Sequence, residues 1–374
     1  MLYGHAVERA MLLWLAMLCV SESMLPSRAL RSLSTRCPCP SSSSTTSVGG
    51  LRMVPSGDKE TGASSAATAM VKKAKLKEVA ELTNQMAAAG PEHVVTKFLA
   101  DGTRAFGVAK PIDFYTATYS RFESIAVLPE FNRKSKTGFI IGLPPPEILG
   151  GVLRDAGSRG IVVSLDKRSG GATVDEFVRF AREQARARIM MPVPIPVVWH
   201  DFIVDDLQIT HAAAQGASAV TLYPEFSPSL AAHVALCQKY DMEAIVMTKS
   251  KEDFEAGVAA GARCFCMHAL EETAITALRA QLPNDQKFLY GARLRPEAEF
   301  SVYAEIDTAW VLRDTNFNWV WPSAEAVYAT GMSDIYPTVL AMRSKASRAF
   351  LSPRQFLMDR RKEGAQEYLG DILY

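Results

Sequence analysis

The sequence lacks several features that would assign it to a function class at once. It has no run of about twenty apolar residues to span a bilayer as a helix, and no G-x-G-x-x-G motif follows the first predicted strand, which removes the usual sign of a dinucleotide-binding fold. An excess of one charge is also missing, since 41 Lys and Arg stand against 40 Asp and Glu, a net charge of +1. This balance argues against a global field built for nucleic acid or an anionic membrane, so any phosphate site must be local.

Cysteine is scarce, with six residues in 374. Three of them belong to the N-terminal region, and the body of the chain keeps Cys237, Cys264 and Cys266. Three thiols on predicted core elements do not make the disulfide framework of a secreted domain. They are predicted to be buried and reduced.

The N-terminal 70 residues have the composition of a targeting sequence. An apolar run, Met11–Val20, is followed by the small residues Ser21 and Ser23, as in a cleaved signal segment. The next stretch, Ser27–Arg36, is rich in Arg and Ser without acids, as in an organelle transit peptide. A signal segment followed by a transit segment predicts import into a plastid bounded by extra membranes; secretion and mitochondrial import are the alternatives. Residues 1–70 are therefore predicted to be a bipartite presequence and linker.

From Val71 onward, short apolar runs alternate with helical patterns, which is typical of a parallel sheet covered by helices. The predicted strands are Ser124–Leu128, Gly160–Ser164, Ile195–Trp199, Ala219–Tyr223, Ala244–Met247, Cys264–Met267, Phe288–Gly291 and Ala309–Leu312. Eight such units favour a closed (β/α)₈ TIM barrel, of the α/β class, over an open sheet. The barrel is assigned to residues 71–331.

Helical extensions are predicted on both sides of the barrel. The N-terminal one is an amphipathic helix over Lys75–Ala88, which Gly90-Pro91 ends. The C-terminal extension covers residues 332–374 and includes a helix over Pro337–Phe350. It is interpreted either as a helix packed at the barrel base or as a docking tail for a partner.

Three side chains alternate along predicted strand 6 and share one face. They are Cys264, Cys266 and His268, and in a barrel that face is the interior. With His200 and Met247 at neighbouring strand ends they suggest a soft-metal site. Because buried free cysteine is common, a packed core is the favoured interpretation, and no metal site is assigned.

A basic face is predicted on the second outer helix, which Thr173 caps with Glu176 in a capping box. Three arginines, Arg179, Arg182 and Arg186, fall on one side of this helix, and Arg188 follows its end. The face is interpreted as solvated, with a partner patch as the alternative.

Two segments carry a resemblance to a known family. Residues 130–138 (EFNRKSKTG) follow the pattern Glu-x-Lys-Lys-x-Ser-Pro-Ser-x-Gly with one residue fewer before the glycine. Residues 200–205 (HDFIVD) follow Lys-Asp-Phe-Ile-x-Asp, and the register continues through residues 208–209 and 216–219. Over roughly residues 72–330 the chain resembles the indole-3-glycerol-phosphate synthase family, which has a (β/α)₈ barrel.

The resemblance implies a lyase of tryptophan biosynthesis that closes an indole ring on a carboxyphenylamino-deoxyribulose phosphate, with loss of carbon dioxide and water. This chemistry uses a general acid, a general base and a backbone phosphate cradle near strands 7 and 8. The carboxylate of strand 1 is retained as Glu130. In contrast, Asn132 stands where the family has lysine, and His200 replaces the lysine that donates a proton. Met247 falls where the family has a catalytic glutamate.

The later strands depart from the family pattern as well. His268 replaces the asparagine at the end of strand 6, and residues 291–293 (GAR) replace Glu-Ser-Gly. The phosphate loop is predicted within residues 312–317, next to two bulky tryptophans at 319 and 321. Arg293 and Arg313 are the predicted phosphate contacts, through charge alone.

The loss of a general acid or base costs about 10²–10⁴ in rate, and several such losses predict little remaining activity. The preferred hypothesis is a plastid protein that kept the barrel, lost the reaction and acts as a structural or regulatory subunit of a complex through its outer helices and C-terminal tail. The alternative is a divergent active synthase with a phosphorylated substrate and with Glu130 and His200 as catalytic residues. A small-molecule or metal binder is the third. No cofactor, nucleic acid or mature transmembrane segment is predicted.

Overall fold

The computed structural model describes residues 60–119, 124–135, 138–139, 143–268, 272–294, 302–328 and 332–344. The strands are β1 (Ala126–Val127), β2 (Glu130–Phe131), β3 (Lys134–Ser135), β4 (Gly138–Phe139), β5 (Ile161–Ser164), β6 (Val197–His200), β7 (Ala219–Leu222), β8 (Glu243–Thr248), β9 (Cys264–Met267), β10 (Leu289–Arg293) and β11 (Trp319–Trp321). The helices are α1 (Glu60–Ala89), α2 (Val94–Asp101), α3 (Phe114–Thr118), α4 (Pro146–Asp155), α5 (Val174–Arg186), α6 (Asp206–Ala214), α7 (Leu230–Lys239), α8 (Lys251–Ala259), α9 (Glu272–Gln281), α10 (Val302–Asp314), α11 (Ala324–Tyr328) and α12 (Met332–Arg343).

One short segment of chain closes the sheet into a barrel. The order of the parallel strands is β1-β11-β10-β9-β8-β7-β6-β5-β2, and β1 and β2 are separated only by Leu128 and Pro129. The N–H of Leu128 donates to Val320 on one side (2.9 Å), and the carbonyl of Pro129 accepts from Val162 on the other (3.0 Å). Residues 126–131 thus act as strand 1 of eight, and the predicted TIM barrel is confirmed.

The helices begin where the sequence supplies caps. Thr173 and Glu176 form the predicted capping box at the start of α5, and Asp205 with Gln208 forms a second one at α6. Each pair satisfies N–H groups that the first turn leaves without partners. As a result, the outer helices start close to the carboxyl ends of the strands, where a site is expected.

The prediction for strand 8 was wrong. Residues 309–312 (AWVL) belong to α10, and the eighth strand is β11, Trp319–Trp321. Four apolar residues in a row fit a buried helix face as well as a strand, because a run this short has no clear period. Ala309, Trp310 and Leu312 indeed lie on the buried face of this helix.

The C-terminal helix also begins earlier than predicted. It is α12, which starts at Met332 and contains Pro337 in its interior. A proline there costs about 3 kcal/mol of helix stability, and buried Ile335, Val339 and Met342 offset that cost by packing against the core. The remaining tail, residues 345–374, and the predicted presequence up to residue 59 lie outside the described residues.

A tryptophan fills the middle of the barrel. The indole of Trp319 is fully buried and meets Phe114 edge to face with ring centroids 6.0 Å apart. Gly291 on the neighbouring strand makes room for it, since a Cβ at that position would lie 2.1 Å from the indole. The interior is therefore a packed core, as is usual for this fold. Any site must lie at the mouth of the barrel, the end formed by the carboxyl ends of the strands.

The N-terminal helix α1 is anchored at the mouth. Val71 and Val79 pack against the interior cluster, the apolar side chains inside the barrel that include Met247, Cys266 and Trp319. Between the two valines, Lys75 is 1% exposed. None of the helices among the described residues is both long and apolar enough to cross a membrane.

Candidate functional site

Glu130, the first residue of β2, lies at the barrel mouth and is 3% exposed. Its carboxylate accepts hydrogen bonds from four side chains that lie on or directly after β2, β5, β10 and β11, which are strands 1, 2, 7 and 8 of the barrel. The donors are Asn132 (3.1 Å), Arg293 (3.1 Å to each oxygen), the Trp321 indole (2.7 Å) and the Ser164 hydroxyl. This is the usual bonding of a buried ionised carboxylate, and it leaves little capacity to accept a substrate proton.

Arg293 is the cation that holds this carboxylate. Its guanidinium lies 4.3 Å from the ring centre of Trp321, so that the charge also meets an aromatic face. Burial is the largest single effect and opposes the charged form, but the carboxylate of Glu130, together with Tyr223 and Cys266, outweighs it and raises the pKa of Arg293. The ion pair of Arg293 with Glu130 is thus built into the mouth.

The same arginine fixes the protonation of His200. Its Nη1 lies 3.1 Å from Nε2 of His200, and because arginine only donates, Nε2 must be the acceptor. The ring proton is then on Nδ1, which lies 2.9 Å from the hydroxyl oxygen of Thr221. In this arrangement Nε2 carries no proton. His200 therefore cannot act from Nε2 as the proton donor that the resemblance would make it.

Apolar and aromatic side chains occupy the neighbouring strand ends. Met247 and Cys266 are both buried in the interior cluster and pair in register across β8 and β9. The ring of Tyr223 packs against those of Phe202 and His268, with ring centroids 5.1 Å and 5.3 Å apart. Met247 on β8, the fifth strand of the barrel, therefore places a thioether where the family pattern has a catalytic glutamate, and it cannot act as a base.

The three body cysteines are buried and free of disulfides, as predicted. Cys264 and Cys266 face the interior of the barrel, and burial raises the pKa of the Cys264 thiol well above its ordinary value. Within the described ranges no cluster of three His, Cys, Asp or Glu side chains has the spacing of a metal site. The thiols pack as small apolar side chains.

A carboxylate occupies the place where barrels of this class commonly bind phosphate. That place lies after strands 7 and 8, at the N-terminus of a short extra helix, which here is α11. The backbone N–H of Ser323 donates to Glu305 at 2.9 Å, and the Ser323 hydroxyl bonds the other carboxylate oxygen. The hydroxyl also accepts from the N–H of Ala326. Glu305, from α10, thus uses donors that a phosphate would otherwise find.

Glu305 is expected to make stability depend on pH. Burial raises its pKa from 4.5 to about 7, although the Ser323 donors oppose the shift. A raised carboxyl pKa stabilises the folded state below pH 4.5, and that contribution is lost as the pH rises through about 7. Chemical denaturation of Glu305→Gln should therefore show a smaller decline in unfolding free energy over this range than the parent, where the slope from this group approaches about 1.4 kcal/mol per pH unit.

Glu255→Gln is the matched control, because Glu255 is largely exposed on α8. It should keep the pH dependence of the parent. Identical slopes for Glu305→Gln and the parent would mean that Glu305 does not titrate in this range.

A buried lysine at the mouth was missed by the sequence analysis. Lys75 Nζ lies 2.6 Å from Asp201, 3.0 Å from Asp166 and 3.0 Å from Glu78. Burial opposes its charge, but the two aspartates outweigh burial and raise the pKa of Lys75. The available signal was a lysine in an apolar stripe, since Val71, Lys75 and Val79 are spaced by four residues.

Three of the four predicted site residues meet at the mouth, where Arg293 bridges Glu130 and His200. Arg313 does not join them. It lies in the last turn of α10 and bonds Asp314 (2.6 Å), and the chain then enters β11 at its amino end. Its predicted place in a phosphate loop depended on the wrong position for strand 8.

The chain is similar in sequence to bacterial indole-3-glycerol phosphate synthases. It is 29% identical to the one from Micrococcus luteus over 192 residues, which is 48% of this chain and 68% of that protein. The identity to the one from Roseiflexus castenholzii is also 29%, over 197 residues, 50% and 71% of the two chains. The chain is a divergent relative of the indole-3-glycerol phosphate synthases. No protein-family model matches it.

Solved structures of two aldolases superpose on part of the chain. A 4-hydroxy-2-oxoglutarate aldolase superposes with a TM-score of 0.41 at 14% identity, over 64% of this chain and 100% of that one. A sialic acid aldolase from Ruminococcus gnavus gives 0.39 at 10% identity, over 63% and 79%. Superpositions at this level carry no information about the chemistry of this synthase relative.

Proposed function

We propose that this synthase relative is a non-catalytic barrel that serves as a structural or regulatory subunit of a plastid complex. The observation that carries the proposal is the position of Arg293, which occupies Glu130 with an ion pair and His200 with a hydrogen bond. A substrate would have to displace a buried ion pair before either group could exchange a proton. Breaking such a pair costs about 3–5 kcal/mol, and Met247 offers no replacement base.

The occupied phosphate position supports the same proposal. The carboxylate of Glu305 bonds the N–H and hydroxyl of Ser323, and an incoming phosphate would meet this buried acid. A phosphorylated substrate therefore loses both its anchor and its proton-transfer partners. The rival hypothesis, a divergent active synthase, requires the mouth to rearrange around Glu130 and His200.

Two assays of the full chain separate these hypotheses. Expressed in a tryptophan auxotroph that lacks the synthase, the chain should not restore growth without tryptophan, whereas the Micrococcus luteus synthase in the same vector should. With carboxyphenylamino-deoxyribulose phosphate, the purified protein should form indole-3-glycerol phosphate at least about 10⁴-fold more slowly than that control, since both acid and base functions are lost. Growth and turnover close to the control would overturn the proposal.

The plastid assignment rests on the order of segments in residues 1–70, an apolar run followed by an acid-free Arg- and Ser-rich stretch. A fluorescent protein fused behind these residues should accumulate in the plastid. Accumulation in the plastid only when both the apolar run and the Arg- and Ser-rich stretch are present would support the bipartite interpretation. Delivery of the fusion to mitochondria or to the medium would contradict it. Native electrophoresis of organelle extract tests the subunit role, which a monomeric mobility would contradict.

A further inference from the structure

The barrel base carries an exposed apolar loop. Between α5 and β6 the chain runs through residues 187–196, which lead into the amino end of β6, opposite the mouth. Ile189 and Met191 at its tip are 92% and 86% exposed, and Met190 and Val193 beside them are more than half exposed. Large apolar side chains grouped in this way usually mark an interaction surface.

A second segment extends this surface. Phe106 is 91% exposed, and its carbonyl accepts from Nε of Arg182 on α5 at 2.7 Å. Four residues further on, the carbonyl of Lys110 accepts from Arg188 at the start of the loop. The 104–112 segment thus runs alongside the end of α5, and its apolar tip belongs to the same face of the barrel.

The charged residues within these two segments are nearly all basic. Segments 104–112 and 182–193 contain one acid, Glu183, whose carboxylate is paired with Arg154. Their basic residues are Arg104, Lys110, Arg182, Arg186 and Arg188. Arg182 and Arg188 donate to backbone carbonyls, which leaves their charge in place. Asp241 acts on Arg104, and Arg179 on the predicted basic face of α5 is tied to Glu147. The local excess of positive charge therefore rests on Lys110, Arg182, Arg186 and Arg188.

We infer that this base surface docks peripherally on a membrane that contains anionic lipid. Ile189 and Met191 protrude at the tip of the loop, a shape suited to insertion between lipid headgroups. A stable protein partner would need a contiguous contact of about 800 Å² per side. Arginine and lysine next to the tips can reach headgroup phosphates while their stems stay with apolar groups. Prolines 192, 194 and 196 restrict the loop, so that little conformational freedom is lost on insertion.

An environment-sensitive fluorophore on the full chain tests this docking directly. Cys19, Cys37 and Cys39 of the N-terminal region are first replaced by serine, so that they take up no label. The label is then attached at Met191→Cys, and in the matched control at Ile148→Cys. Ile148 is an exposed apolar residue near the start of α4, at the mouth end of the barrel. Vesicles of phosphatidylcholine with phosphatidylglycerol should shift the emission of the label at 191 to the blue and leave the label at 148 unchanged, and added salt should reverse the shift. Because the label reports local insertion, contact by any other segment of the chain does not mimic the result.

Variants set the expected size of the effect. Ile189→Ser combined with Met191→Ser should weaken vesicle binding of the base surface by about 10–100-fold, read from a label at Val193→Cys. Arg186→Glu with Arg188→Glu should abolish the preference for anionic lipid. No blue shift at 191, or an equal shift at 148, overturns the inference. A shift produced by a protein fraction and not by vesicles would assign the surface to a protein partner instead. The inference does not depend on whether the barrel is catalytic.

Discussion

Replacing Lys75 with methionine is expected to lower the free energy of unfolding by about 3–5 kcal/mol. The ammonium lies between Asp201 (2.6 Å) and Asp166 (3.0 Å) in a site where the lysine is 1% exposed. Methionine has a similar length and is apolar, so it keeps the packing of α1 while it leaves two buried carboxylates without a cation. Urea denaturation followed by tryptophan fluorescence measures the difference.

Lys77→Met on the same helix is the control, because Lys77 is exposed and should change stability by less than about 0.5 kcal/mol. A triple variant that also carries Asp166→Asn and Asp201→Asn should recover part of the loss, since neutral amides need no cation. If Lys75→Met and Lys77→Met unfold at the same urea concentration, the buried cluster does not hold α1 at the mouth.

Replacing Arg293 with methionine should cost a comparable amount, about 3–5 kcal/mol, because it strands the Glu130 carboxylate. The Trp321, Asn132 and Ser164 donors remain, which places the effect toward the lower end of this range. Adding Glu130→Gln removes the stranded charge and should restore much of the stability. The double-mutant cycle should therefore show strong coupling, above about 1 kcal/mol.

A surface pair serves as the reference for this cycle. Lys249 and Glu225 lie 2.8 Å apart, but both side chains are 40% exposed or more, so Lys249→Met with Glu225→Gln should show coupling below about 1 kcal/mol. Additive effects at positions 130 and 293 would mean that the two side chains do not act as a pair. In that case Arg293 would not keep Glu130 from a substrate, and a non-catalytic mouth would no longer be expected.

The barrel itself was predictable because its signal is local and repeated. Each strand is a short apolar run followed by a helical segment, and seven of the eight predicted strands overlap the observed ones. Strand 8 failed because four apolar residues without a period do not distinguish a helix from a strand. That single error also moved the expected phosphate loop and with it Arg313.

The mouth was only partly predictable. Glu130, His200 and Arg293 each fall at a strand end, so the topology alone brings them together. Their pairing was not visible, since it depends on distances between residues up to 163 positions apart in sequence. Lys75 and Glu305 were missed for the same reason, because a lysine on one helix and a glutamate on another find partners only after the barrel closes.

The bridge through Arg293 also restricts how this mouth can change in evolution. His200 accepts its hydrogen bond at 3.1 Å, so a lysine reinstated at position 200 would bring a second cation against the guanidinium. A lysine at position 200, where the family pattern has one, is thus disfavoured until position 293 has changed first. The order in which positions 200 and 293 can change is therefore constrained, because each side chain limits the charge that the other can carry.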